Sequence, residues 1–269
     1  MKKNIFISFF FIFAFKISAQ YRANGAKSGI ASKDNYNTGI YYLTTDNPNK
    51  YKLAIISFTK ALDEPISFSN NGSSYTYEDV YYNRGYCLYQ LKFYNEAIID
   101  FTKVISLNPT YAKAYNNRGL VQSILGNNTE ALADINKAIQ IEPHLAIAYY
   151  YRSVLSYNNG DYKATITDCD SALKYDQKHV EAFKRRANAK FMLQDYTGSI
   201  EDYTRAIKHD WENAQLYFCR GRASYQLKNY DDAIKDYNKA IDLDDKNQSY
   251  KDNLKLANDA IKNKIGIKN

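Results

Sequence analysis

From about residue 78 to 247 the chain alternates helical apolar stripes with short polar breaks, and the stripes return in step. Small residues mark the step. Ala138, Ala172, Ala206 and Ala240 lie 34 apart, with Val104 one step earlier. Ala97, Ala131, Thr165, Ser199 and Ala233 form a second ladder of the same period, and Gly85, Gly119, Ser153, Ala187 and Gly221 a third. Aromatics form a fourth, with Tyr81, Tyr115, Tyr149, Phe183 and Tyr217. A fixed period of this size is the mark of stacked supersecondary units, each burying its apolar face on the next.

The pattern within one period predicts two helices. In the unit beginning at Ala112 the first runs to about Leu125, "GNN" at 126–128 breaks it, and the second runs from Glu130 to Ile141, stopped near Pro143. Small residues at the eighth and twentieth positions let the two helices touch. Five full units are predicted, at 78–111, 112–145, 146–179, 180–213 and 214–247. Before them, "YKLAIISFTKAL" (51–62) reads as the second helix of a degenerate first unit over 35–64, followed by an inserted polar loop at 65–77. After them, 248–269 is predicted as a capping helix and tail, because an end unit needs a polar-backed cover.

The spacing and the quoted stretches "YYNRGYCLYQLKFYNEAIIDFTKVISLNP" and "YFCRGRASYQLKNYDDAIKDYNKAIDLD" resemble the tetratricopeptide repeat family. The resemblance implies an all-α fold, a right-handed superhelical solenoid of helix-turn-helix repeats closed by a C-terminal capping helix. It also implies that the first helices line a concave groove through positions 2, 5, 9, 12 and 13 of each repeat. The candidate peptide-binding residues at those positions are Tyr82, Tyr86 and Tyr89, then Asn116 and Leu120, then Tyr150 and Tyr157. Lys184, Asn188 and Phe191 follow in the fourth full repeat, and Phe218, Arg222 and Tyr225 in the fifth. One subtype of the family clamps acidic C-termini with a set of Lys, Asn and Arg. Lys184 and Asn188 fit its first two places, but Cys219, Ser249 and Asn253 occupy the others, so that function is not expected.

Position 7 departs from the family, which commonly has Leu there. Arg84, Arg118, Arg152, Arg186 and Arg220 stand 34 apart, and Asp100, Asp134, Asp168, Asp202 and Asp236 follow sixteen residues after them. A charge at a helix interface needs such a partner. Pairing within a repeat satisfies all five arginines. Pairing between repeats would leave Arg84 facing Ser57 and Asp236 facing Leu254. A structural ion-pair ladder is therefore expected.

The first residues are of another kind. "MKKNIFISFFFIFAFKISAQ" has Lys2 and Lys3, an apolar run, then Ser18 and Ala19, the layout of a secretory signal peptide. The apolar run is too short to span a bilayer. Cleavage after Ala19, a flexible leader over 20–34, and an exported protein, periplasmic or secreted, are expected, with no membrane insertion once the signal is gone. Loss of Lys2, Lys3 and Lys16 lowers the formal charge from +7 to +4, and the remaining lysines are scattered among acids, which removes most support for a nucleic-acid partner.

Cys87, Cys169 and Cys219 lie in alternate repeats, which at about 8–10 Å per packed helix are too far apart to bridge. His144, His179 and His209 are separated in the same way, so neither a metal site nor a Ser/His/Asp arrangement is expected, and no phosphate loop occurs. The expected protein is a non-catalytic scaffold, without cofactor, that holds a peptide segment or helix of an exported or envelope protein. The alternative is a carbohydrate-binding module whose groove tyrosines stack on sugar rings.

Overall fold

The computed structural model describes residues 29–63 and 75–265, with side chains described over 34–63 and 75–263. The expected signal segment 1–19, most of the expected leader and most of the expected inserted loop lie outside the described residues. Thirteen helices and no strand occur among the described residues. In chain order they are α1 (Gly29–Leu43), α2 (Lys50–Leu62), α3 (Tyr77–Gln90), α4 (Tyr94–Leu107), α5 (Ala112–Ile124), α6 (Asn128–Ile141) and α7 (Ala146–Asn158). Then come α8 (Tyr162–Tyr175), α9 (Val180–Met192), α10 (Tyr196–His209), α11 (Ala214–Gln226), α12 (Tyr230–Leu243) and α13 (Gln248–Ile265). They form two compact units, one ending at Ile141 and one beginning at Glu142.

The turn inside each repeat explains the helix pairing. The first helix of each full repeat ends in a left-handed residue: Lys92, Gly126, Gly160, Gln194 and Lys228, with φ between 61° and 85°. The following amide bonds back across the helix end, as Asn127 N does to the Gln122 carbonyl at 2.9 Å and Phe93 N to that of Leu88 at 2.8 Å. This is the Schellman arrangement, and glycine takes it without a Cβ clash. Lys92, Gln194 and Lys228 hold the same conformation without that ease, so the turn is imposed by the helices that pack on either side. Asp161 and Asp195 then cap α8 and α10, accepting from the Ala164 and Gly198 amides at 2.9 Å.

Close contact within each pair rests on the small residues. A Cβ built on Gly119 would lie 2.9 Å from Ile135 Cγ1 and 3.0 Å from the Ala131 carbonyl oxygen. In the first unit Ala54, Phe58, Val80, Cys87, Ala97 and Phe101 form one apolar core. In the second, Ala172, Phe183, Tyr203, Ala206 and Leu216 form another, and Phe218, Tyr237, Tyr250 and Ala257 a third that joins α13 to α11 and α12.

The chain's start corrects two boundaries. Helix α1 begins at Gly29, inside the stretch expected as a flexible leader, and pairs with α2, where Gly39 lies against the Phe58 ring. The end of the expected loop belongs to the helical body. Tyr75 is buried and stacks on Tyr36 at 4.4 Å, and Thr76 caps α3. There the Asp79 amide donates to Thr76 Oγ1 at 3.3 Å, and the Thr76 amide to Asp79 Oδ2 at 2.9 Å.

Candidate functional site

Two faces of the helix pairs carry ordered polar chemistry. On the first, each position-7 arginine forks onto the aspartate of its own repeat. Nε and Nη2 of Arg84, Arg118, Arg152, Arg186 and Arg220 donate to Asp100, Asp134, Asp168, Asp202 and Asp236 at 2.6 to 2.9 Å. Two parallel N–H···O bonds fix both planes. Each guanidinium also lies over the aromatic three residues earlier, Tyr81, Tyr115, Tyr149, Phe183 or Tyr217, at 5.4 to 5.7 Å. The Asp134 hydrogen bonds hold the pKa of Arg118 above its ordinary value against the opposing effect of burial.

The Nη1 of four of these arginines reaches back one repeat. Arg84 donates to Thr59 at 3.2 Å, Arg118 to Thr102 at 3.0 Å, Arg220 to Thr204 at 3.1 Å, and Arg186 to Asp170 at 2.5 Å. So one side chain joins its own helix pair and ties it to the pair before. The spacing set pairing within a repeat against pairing with position 23 of the preceding repeat, and the structure has the first together with a link to the preceding pair at another position. That link uses the guanidinium's third edge, and its acceptor sits at position 25, where no charge ladder marks it in the sequence.

The second face is built on the first helices. In the first unit it is closed by hydrogen bonds. Tyr82 is half-buried against Phe101 and Tyr111, and its hydroxyl accepts from Asn117 Nδ2 at 3.1 Å. Asn83 donates likewise to the Tyr36 hydroxyl at 3.3 Å. Burial, then the charge of Asp79, pushes Tyr36 and Tyr111 up to about 12. Tyr86 lies between Tyr51 and Tyr89, at 6.3 and 6.5 Å, and Leu120 is half-buried.

In the second unit the face is aromatic and cationic. Tyr157 meets Tyr162 edge-on at 5.3 Å, Phe191 meets Tyr196 at 5.2 Å, and Tyr225 meets Tyr230 at 5.3 Å. The Arg185 guanidinium lies over Tyr157 at 4.9 Å, and that of Arg222 over Phe191 at 5.1 Å. Tyr150 packs on His179 at 4.8 Å, and Lys184 pairs with Glu181 at 2.6 Å. Asn188 accepts from the buried Tyr203 hydroxyl.

Two residues expected on the groove surface are buried. Asn116 is 3% exposed, and Phe218, at 7%, packs between Tyr237 and Tyr250. Burial takes both side chains off the surface, and Phe218 is held between α12 and α13. Arg185 and the tyrosines at position 17 are the residues that sequence reasoning missed on this face. The signal was available for Arg185, an arginine beside the ladder with no aspartate in step with it. The cysteines are free, and burial pushes Cys87 up to about 12 and Cys169 to about 11, which keeps both thiols protonated. Among the described residues no group of three His, Cys, Asp or Glu is placed to hold a metal ion, and no helix is long and apolar enough to cross a membrane.

Antiparallel helix pairs of fixed period, touching through small residues and repeated in register, define an α-helical tandem-repeat protein. The tetratricopeptide repeat family models match residues 78–111, 112–145 and 214–247, and the chain is a tetratricopeptide repeat protein. Its repeats make it a protein-interaction scaffold. Solved structures agree on the fold. The Cut9–Hcn1 hetero-tetramer of APC/C matches with a TM-score of 0.70 at 17% identity, over 91% of this chain and 45% of that one. MamA matches with 0.55 at 19%, over 65% and 95%. YrrB, described as a TPR protein with an unusual peptide-binding site, matches with 0.56 at 18%, over 72% and 95%. No curated protein sequence matches the chain.

Proposed function

We propose that this chain is an exported scaffold that holds a peptide segment or helix of an exported or envelope protein on the faces of its first helices. The observation that carries the reading is the row of partly exposed rings on those helices, Tyr86 and Tyr89 in one unit and Tyr157, Phe191 and Tyr225 in the other. A core takes such rings out of water. These stay in contact with it on one side while their neighbours fix their orientation, which is the condition for a low-entropy anchor. Export rests on the layout of residues 1–19. YrrB's peptide-binding site is in keeping with the same use of the fold.

Crosslinking and affinity capture with the mature chain in its native compartment tests this. Replacing Tyr86, Tyr157 and Tyr225 together by Ala is expected to abolish partner capture with the melting temperature nearly unchanged. Undiminished capture by the triple variant overturns the assignment, and selective binding on a glycan array would favour the carbohydrate alternative. The N-terminus of the exported protein is expected at Gln20.

A further inference from the structure

The second unit carries two arginines unlike the ladder beside them. Arg186 is tied by Asp202 and Asp170. Arg185, next to it on α9, and Arg222 on α11 make no hydrogen bond or ion pair among the described residues. Their contacts are with rings: Arg185 over Tyr157, and Arg222 over Phe191 at 5.1 Å and Phe218 at 5.9 Å. A guanidinium stacked on a ring uses its face. Its N–H edge stays free, and the ring holds that edge in one orientation, ready for a planar two-oxygen acceptor.

Among the described residues nothing on this face supplies that acceptor. Of the groove positions, only Asp79 and Glu181 are acids. Asp79, in the other unit, is held in the cap of α3, and Glu181 is taken by Lys184. Burial raises the pKa of the Tyr157 hydroxyl, and the charges of Arg185, stacked on its ring, and of Arg222 both oppose that rise. Arg222 is exposed, and Tyr157, Arg185 and Phe191 are partly so.

We infer that the second unit binds an acidic peptide, with two carboxylates received by Arg185 and Arg222 and apolar side chains laid against the Tyr157–Tyr162 and Phe191–Tyr196 ring pairs. This rests on the peptide-scaffold reading and names its partner's chemistry. These residues are not those of the acidic C-terminus clamp, whose later positions are Cys219, Ser249 and Asn253 here. Single-stranded nucleic acid also pairs rings with cations. The peptide is favoured because the repeats form a protein-interaction scaffold and the other cations of this chain are dispersed or paired.

The test is selection of random dodecapeptides displayed on phage against the whole mature chain, in parallel with the Arg185→Gln/Arg222→Gln double variant. Wild type is expected to enrich peptides in excess of Asp and Glu, and the variant to lose that excess. A labelled peptide from the selection should bind the variant at least about tenfold more weakly, with the wild-type affinity falling in high salt. The variant should melt within a few degrees of wild type, because each side chain gives up only a stacking contact and no hydrogen bond or ion pair. Enriched peptides without acidic bias that still compete with one another overturn this inference and leave the scaffold reading standing. No enriched peptide from either chain overturns both. Tighter binding of an oligothymidylate than of any selected peptide replaces the acidic peptide with nucleic acid.

Discussion

The two units share one ladder and differ on the face beside it. At position 6 the first unit has Asn83 and Asn117, each donating to a tyrosine hydroxyl of the helix pair before. At the same position in the second unit Arg185 lies over the ring of Tyr157. The backbone register is the same. The amides spend their groups inside the fold, on the hydroxyl and on a neighbour, the Asp79 carbonyl for Asn83 and the Asn116 amide for Asn117. A guanidinium covers the ring and keeps its edge unspent. One unit therefore closes its polar groups on each other, with Asp79 among them, while the other presents cations to solvent. In a repeat protein the stacking is conserved by period, and the chemistry of each step is free to change by single residues.

The largest effect expected is on the ladder that both units share. Asp202 is 1% exposed at its side chain and takes both Arg186 and Lys190. Asp202→Ala leaves buried cations without it and should lower stability by about 3–5 kcal/mol in urea denaturation. Arg185→Ala, one residue from Arg186, should stay within about 0.5 kcal/mol of wild type. Equal losses would erase the distinction between tied and untied arginines. Next comes helix contact. Gly119→Ala forces a Cβ against the Ala131 carbonyl and Ile135 and should cost about 1–3 kcal/mol in the same assay.

Within the ladder, the two linkages of one arginine should separate. In double-mutant cycles Arg220 should couple to Asp236 by about 1–3 kcal/mol, and to Thr204 by well under half of that. Stronger coupling to Thr204 would make the ladder a device between repeats first. In the first unit Asn117→Ala removes the bond to Tyr82 and should cost about 1 kcal/mol, read as faster hydrogen exchange in α3 and α5.

The smallest effect belongs to the second unit alone. His179 accepts from the Ala182 amide through Nδ1 at 3.3 Å and caps α9. Burial lowers its pKa below the ordinary 6.5, against the pull of Asp176 and Glu181. Above 6.5 both states are neutral there. As the pH falls below about 6.5 the unfolded chain takes up the proton first, so stability drops by a fraction of a kcal/mol. His179→Asn keeps a cap acceptor and should flatten that part of the stability–pH curve. An unchanged slope would show that the acid loss comes from elsewhere.

The sequence by itself determined the period, the helix pairs and the Arg–Asp pairing. Each of these depends on residues a fixed distance apart on a helix face, and spacing is what a sequence records. Gly119 was legible as a contact because only a small side chain fits where two backbones meet. The left-handed turns were legible at Gly126 and Gly160 but not at Lys92, Gln194 and Lys228, where packing overrides the residue's own preference. Only the tertiary structure decided that Asn116 and Phe218 face inward, that the ladder arginines also reach back to position 25, and that Arg185 lies on a ring while Arg186 lies on carboxylates. These depend on where a neighbouring helix pair places its side chains across a gap of a few ångströms. Linear spacing fixes which helix face a residue is on, but not what stands opposite it.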